Sequence, residues 1–247
     1  MEKDVKDKHC LYTDLAWLFP MISPPEDYVE EAKHFCKVLQ ENAHRELKTL
    51  LHLGCGAGHY DKTLKKYFQV TGLDISEEML DLARQLNPQI EYLSGDMRTT
   101  NLEKTFDVVV AFDSINYMCT ERDLRAVFET AYEHLDLGGI FLTYVEEEPQ
   151  SFEQNSISCS THSQDDVEVV FIENKYDPDL ADTFYELNFL FLIRERGELR
   201  IEHDCHVNGI FPLDIWMKNL RSVGFDIKVL HFEEEGKRYP LLVCLKK

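Results

Sequence analysis

The sequence predicts an α/β chain. Its main body is a doubly wound, mainly parallel sheet of seven strands closed by a C-terminal antiparallel hairpin, and a small antiparallel sheet is inserted before the last helix. Three observations carry this. Between residues 49 and 145, short apolar segments alternate with amphipathic helical ones across short connections, the pattern of right-handed β-α-β crossovers. Residues 106–112 are apolar almost throughout, as a central strand covered on both faces requires. Beyond residue 147 strand patterns succeed one another without helices between them.

Residues 1–48 read as an N-terminal helical segment. Ser23, Pro24 and Glu26 suit a helix start, and Tyr28, Ala32, Phe35, Val38 and Leu39 recur at helical spacing. Residues 49–53 form the first strand, 54–58 a glycine turn and 60–68 a helix. A second strand covers 69–73. The helix over 76–86 is capped by Ser76, with Glu77 and Glu78 at the positive end of its dipole. Further strands are predicted over 90–93, 106–112 and 140–145, with a helix over 121–135 stopped by Gly138 and Gly139. The Ser-rich, polar stretch 147–165 reads as a loop. Three strands follow over 167–176, 184–194 and 199–207, with a hairpin turn at 196–198. A helix over 212–223 and strands over 225–232 and 241–245 complete the chain. The expected organisation is one domain over 1–247: an N-terminal segment (1–48), a glycine-loop core (49–146), an antiparallel lid insertion (147–211), and a last helix and hairpin (212–247).

Of the 247 residues, 44% are hydrophobic, enough for a core. The formal net charge of −20 argues against nucleic acid, whose backbone demands Lys and Arg, and favours a small molecule as acceptor. Seven Cys without CxxC spacing, behind a charged N-terminus, read as reduced thiols of a cytoplasmic protein. No apolar run approaches the roughly 20 residues that span a bilayer. The sequence leaves open whether the chain pairs with a second copy as a homodimer.

The strongest local signal is Leu50-Leu51-His52-Leu53-Gly54-Cys55-Gly56-Ala57-Gly58. It leaves a strand, turns on three alternate glycines and enters a helix. This GxGxG spacing is tighter than the dinucleotide GxGxxG and suits a ligand without a pyrophosphate. Asp74, in Thr71-Gly72-Leu73-Asp74-Ile75-Ser76, ends the second strand, where an acid can accept both hydroxyls of a ribose. Asp96 ends the third, where it can accept from an adenine amino group while Met97 packs on the ring. Three successive strand ends thus present ligand groups at the carboxyl edge of the sheet.

With these residues the sequence resembles the class I S-adenosylmethionine-dependent methyltransferases, which are Rossmann-like. The resemblance runs over roughly residues 45–145 and the closing helix and hairpin, on the motifs LLHLGCGAG, GLDISEEML, GDMR and FDVVVAFDSINYM. It implies S-adenosylmethionine as methyl donor and S-adenosylhomocysteine as product. It implies that Gly54, Gly56 and Gly58 line the methionine part, that Asp74 holds the ribose, and that Asp96 and Met97 hold the adenine. Cys55, Ile75, Met79 and Phe112 complete the implied cofactor site, and Asp113 lies beside the sulfonium and the acceptor. The family usually has an acid where this chain has His52; a neutral His there can still hydrogen-bond the cofactor's amino group.

Within the family the chain looks most like N-methyltransferases of sugar amines and glycine, so the expected reaction is in-line transfer to a small-molecule amine. The alternatives are an oxygen, carbon or protein acceptor, or a non-catalytic binding protein. Tyr12, Asp113 and His206 are the candidate catalytic residues. Strand alternation puts Glu202, Asp204 and His206 on one face and His203 and Cys205 on the other, so Asp204 can position His206 as a base. No metal is expected, since two residues on one face fall short of a zinc site. Trp17, Phe19 and Trp216 are expected to pack, and the acidic runs 146–148 and 233–235 to be solvated turns.

Overall fold

A computed structural model describes residues 9–234 and 236–247; the first eight residues of the expected N-terminal segment, and Glu235 of the second acidic run, lie outside them. The main sheet has the order β10-β11-β5-β4-β1-β2-β3. Strands β1 (Thr49–Leu53), β2 (Gln69–Asp74), β3 (Glu91–Ser94), β4 (Phe106–Val110) and β5 (Leu135–Tyr144) are parallel. The closing β10 (Phe225–Glu234) and β11 (Lys237–Lys246) are antiparallel, with β11 pairing β5.

The central strands are buried on both faces, and their period-2 alternation divides the core in two. Leu50, Val108, Val110, Ile140 and Leu142 face α2 (Val29–Asn42), α3 (Asp61–Leu64) and α4 (Glu77–Leu86). Leu51, Val109 and Phe141 face α5 (Glu121–Glu133) and α6 (Leu213–Val223). The expected caps form: Ser76 accepts from Met79 N–H, and Thr120 does the same for α5 from Asp123 N–H.

Four expectations need correction. The helix expected to start at Ser23 starts later, and the segment before it is broken into short turns. Short 3₁₀ turns at Cys10–Tyr12 and Ala16–Leu18 lead into α1 (Phe19–Ile22), and α2 begins only at Val29. The helix expected over 60–68 is the single turn α3, and α5 ends at Glu133, so β5 begins at Leu135, before the glycine pair expected to stop the helix. The polar stretch 147–165 contains a strand, β6 (Ser156–Gln164), which pairs antiparallel with β7 (Val167–Tyr176). With β8 (Phe184–Glu195) and β9 (Glu198–Gly209) this makes a sheet of four strands, not three, inserted between β5 and α6. Its inner face closes on Leu11, Leu15 and Leu18 from the N-terminal turns, with Tyr185, Leu187, Phe189 and Phe191 of β8. Among the described residues no helix is long and apolar enough to cross a membrane, and the seven cysteines are free thiols.

Trp216 packs as expected, its ring 5.7 Å from that of Phe128, which also lies tilted against Phe141 at 6.0 Å. Trp17, by contrast, is 43% exposed. Phe128→Ala should remove the wedge between α5, α6 and the sheet and cost about 3–5 kcal/mol. Urea unfolding would show it as a lower midpoint with an unchanged slope.

Candidate active site

The order of the sheet reverses between β1 and β4, so the loops after these two strands diverge and leave a crevice at the carboxyl edge. The glycine turn fills one side of it. Gly54 N–H and Cys55 N–H both donate to the Leu73 carbonyl, at 2.7 and 2.9 Å, which fastens the turn to the end of β2. Gly54 has φ +68°, and a Cβ there would lie 2.4 Å from Ser114 Cβ and 2.6 Å from Met97 Cε; only glycine fits. Gly58 (φ +71°) has another use. Its Cβ position is taken by the Tyr92 hydroxyl and the Asn87 amide, so it seats the turn against α4 and β3 and lines none of the cavities described below.

Asp74 is held from two sides. Gly56 N–H donates to Oδ2 at 2.7 Å and Ser76 N–H to Oδ1 at 2.9 Å. Burial raises its carboxyl above the usual range, against these backbone bonds. Each oxygen keeps a second acceptor site, enough for a pair of vicinal hydroxyls.

Asp74 opens on a cavity of about 720 Å³. That lies within the roughly 300–1,000 Å³ usual for cofactor sites. Gly54, Gly56, Ile75, Met79, Asp96 and Met97 also line it. Ile75 is 71% exposed, an apolar face beside the acid and open to a flat ring. Asp96 is already clamped by Arg98, whose Nη2 donates at 2.6 Å and whose Nε lies 3.0 Å from both oxygens; this fork holds the carboxyl below its usual range. A ligand amino group must share Asp96 with that fork. Vicinal hydroxyls on Asp74 and a ring between Ile75 and Met97 describe a nucleoside, and the residues fit one.

A recess of about 60 Å³ leads off behind the glycine turn, lined by His52, Cys55, Phe112 and His59 among others. His52 is buried, and its Nδ1 lies 2.8 Å from Asp61 Oδ1, whose other oxygen accepts from the Tyr92 hydroxyl at 3.0 Å. The acid absent from position 52 is thus present one layer deeper, as Asp61, a residue that no motif in the sequence marks. Phe112 is part of an aromatic stack with Phe35 and Tyr60, each 4.7 Å away, and borders only this recess.

A further cavity, of about 260 Å³, lies under the lid sheet. It shares Tyr12, Asp113, Ser114 and Tyr117 with the first, so the two spaces meet there. Asp113 borders both of them and the recess, and accepts a hydrogen bond from the Tyr144 hydroxyl. Phe19, expected only to pack, also lines the first cavity.

His206 lies outside all of these spaces. It is fully buried and both ring nitrogens are engaged: Nε2 with Asp204 Oδ2 at 2.8 Å and Nδ1 with the Tyr117 hydroxyl at 2.6 Å. The Tyr117 hydroxyl in turn meets the Tyr12 hydroxyl at 2.8 Å, and Asp204 also accepts from Leu11 N–H at 2.8 Å. Strand alternation correctly pairs Asp204 with His206, but the groups that reach the cavities are Tyr117 and, beyond it, Tyr12. Burial would raise Asp204; the His206 and Leu11 hydrogen bonds outweigh it and hold the carboxyl below its usual range. Burial pushes both tyrosine hydroxyls up, so they stay protonated. His203 and Cys205 take the opposite face, where His203 Nε2 meets Asn188 Oδ1 at 3.1 Å. Among the described residues no three His, Cys, Asp or Glu side chains are grouped to hold a metal.

The acidic run 146–148 is not simply solvated. Lys175 Nζ bridges Glu146 and Glu147, 3.1 Å from each, Asn116 donates to Glu146 at 2.5 Å, and Leu213 N–H donates to Glu148 at 3.0 Å.

His59, 5% exposed between Phe19 and Tyr28, supplies a pH test. Burial lowers its pKa from 6.5 to about 4. The unfolded chain therefore binds a proton that the folded one refuses, so stability falls as pH drops from 6.5 towards 4. Between pH 7 and pH 5 this costs about 2 kcal/mol. Urea unfolding of His59→Phe should show an acid loss smaller than the wild type's by about that amount.

Comparison with known proteins agrees with the geometry. Residues 50–139 match a family described as a methyltransferase domain. YqeM of Bacillus subtilis (strain 168), a methyltransferase by name, is 31% identical over 187 residues, covering 72% of this chain and 73% of that one. The dTDP-3-amino-3,4,6-trideoxy-α-D-glucopyranose N,N-dimethyltransferase of Streptomyces venezuelae is 27% identical over 214 residues, covering 86% and 89%. The crystal structure of DesVI, also from Streptomyces venezuelae, superposes with a TM-score of 0.83 at 25% identity, covering 96% of this chain and 98% of that one. The chain belongs to the S-adenosylmethionine-dependent methyltransferases.

Proposed function

We propose that the protein methylates the amino group of a small molecule, with the donor in the 720 Å³ cavity and the amine in the 260 Å³ cavity. The observation that carries this is the junction at Tyr12, Asp113, Ser114 and Tyr117, where the two spaces meet, so that a donor in one and an acceptor in the other can be brought together for displacement. The comparisons support an amine, since sugar N,N-dimethyltransferases are among the relatives. With a net charge of −20, a free small molecule in the cytoplasm suits the chain better than nucleic acid.

In this reading Asp74 holds the ribose hydroxyls of S-adenosylmethionine, Ile75 and Met97 flank its adenine, Gly54 and Gly56 leave room for its methionine part, and His52 and Asp61 stand behind that part. The bound cofactor supplies a methyl group on a positively charged sulfur, a good leaving group. The amine lone pair forms the new C–N bond as the C–S bond breaks onto sulfur, and the positive charge passes to nitrogen. Asp113 lies where that charge arrives and favours it. A second methylation needs the nitrogen to lose a proton first.

The buried chain sets the direction of the Tyr12 hydroxyl. With the His206 proton on Nε2 and donated to Asp204, Nδ1 accepts from Tyr117, and the Tyr117 oxygen then accepts from Tyr12. The Tyr12 oxygen is left to accept an N–H of the amine, which turns the lone pair towards the methyl group. His206 and Asp204 are positioning residues here.

Calorimetry should show one-to-one binding of S-adenosylhomocysteine. Asp74→Ala should weaken it ten- to a hundredfold, about 1–3 kcal/mol, and an unchanged affinity would contradict the ribose assignment. Tyr117→Phe should lower kcat for the amine about tenfold, one neutral hydrogen bond's worth, while KM and cofactor affinity stay close to wild type. A change confined to KM would place Tyr117 in binding alone.

A further inference from the structure

The inner face of the lid says which amines the site takes. Period-2 alternation puts Glu173 and Lys175 of β7, Leu187 and Phe189 of β8 and Asn208 of β9 on the surface that roofs the 260 Å³ cavity. With Asp113 and Glu146, this gives three carboxylates against one ammonium, and that ammonium is already shared between Glu146 and Glu147. Among the described lining residues there is no arginine and no second lysine.

Asn208 adds an independent sign. It is 5% exposed and lines the cavity, and its Oδ1 is buried without any hydrogen-bond partner, while Nδ2 makes only a long 3.5 Å contact with the Tyr185 hydroxyl. A buried amide oxygen left unpaired is costly, and what satisfies it is an N–H or O–H donor. Glu173 asks for the same kind of group. Burial raises its carboxyl, against Lys175, and no described side chain donates a hydrogen bond to it.

We infer that this cavity receives a small, phosphate-free amine whose N–H groups, and the positive charge its nitrogen gains on methylation, are met by Glu173, Asn208 Oδ1 and Glu146, and that it refuses the nucleoside-diphosphate sugars on which the related N,N-dimethyltransferases act. A diphosphate presents only acceptors and negative charge, and it is normally met by Arg forks, Lys or helix N-termini. The cavity instead offers acceptors and carboxylates. Among the described residues lining the neighbouring donor cavity the one arginine, Arg98, is spent on Asp96. The inference rests on the amine-methylation reading above and narrows it.

The test is methyl transfer from labelled S-adenosylmethionine, read as S-adenosylhomocysteine release, to putrescine, to unphosphorylated 3-amino-3,6-dideoxyglucose and to the dTDP conjugate of that same sugar. The inference expects turnover of at least one phosphate-free amine, with a kcat/KM at least about tenfold above the conjugate's, no inhibition by millimolar dTDP, and a roughly tenfold rise in amine KM in Glu173→Gln with cofactor affinity unchanged. Preferential turnover of the conjugate, inhibition by dTDP, or a Glu173→Gln variant with wild-type amine KM would overturn it and leave amine methylation standing. If the cofactor binds one-to-one and none of the three acceptors is methylated, the amine reading itself falls and the inference with it.

Discussion

The buried hydrogen-bonded chain from Asp204 through His206 and Tyr117 to Tyr12 joins parts of the molecule that the sequence keeps far apart. Asp204 and His206 stand on β9 of the lid sheet, Tyr117 on the turn after β4, and Tyr12 on the N-terminal turns, which are tied in again where Leu11 N–H donates to Asp204. Asp204 and His206 are buried and the two tyrosines half-buried, so the polar groups at the inner end of the chain must be satisfied by the next member. The lid, the N-terminal turns and the main sheet are held in the one arrangement that closes the chain, and that arrangement sets the wall between the two cavities.

The two halves of the site differ in kind. The donor side is backbone work: glycine N–H groups and positive φ values shape the turn, and Asp74 is oriented by Gly56 and Ser76 before any ligand arrives. Such preorganisation lowers the cost of binding. The acceptor side is side-chain work, built on a sheet whose inner face carries Glu173, Lys175 and Asn208 among apolar neighbours. The donor side can serve many acceptors, and the lid decides between them.

Much of this was legible in the sequence because its signals are local. The GxGxG turn, Asp74 and the doubly apolar β4 each follow from spacing within a few residues, and they place the fold and the donor cavity. β6 was not legible. Its alternate residues face solvent on both sides, so there is no period-2 apolar pattern to read, and the strand exists through its ladder with β7. The Asp204–His206 pairing was legible from alternation. That His206 spends both nitrogens was not, since Tyr117 comes from 89 residues away. Asp61 and Glu173 carry no motif, and their roles, like that of Asn208, appear only once the register of the sheets is known. Glu173 and Lys175 do sit two apart on a predicted strand, a signal that they share a face, but not that the face is the cavity roof.

The central claim is that this chain moves a methyl group from S-adenosylmethionine to a nitrogen of a small molecule. Its most direct test is carbon NMR of the small-molecule fraction after incubating the protein with methyl-¹³C S-adenosylmethionine and an amine-rich metabolite extract. The account predicts a new signal in the N-methyl range, about tenfold weaker when Tyr117→Phe replaces the wild type for the same short time. Label found only on oxygen or carbon, retained on macromolecules, or never leaving the donor would contradict it.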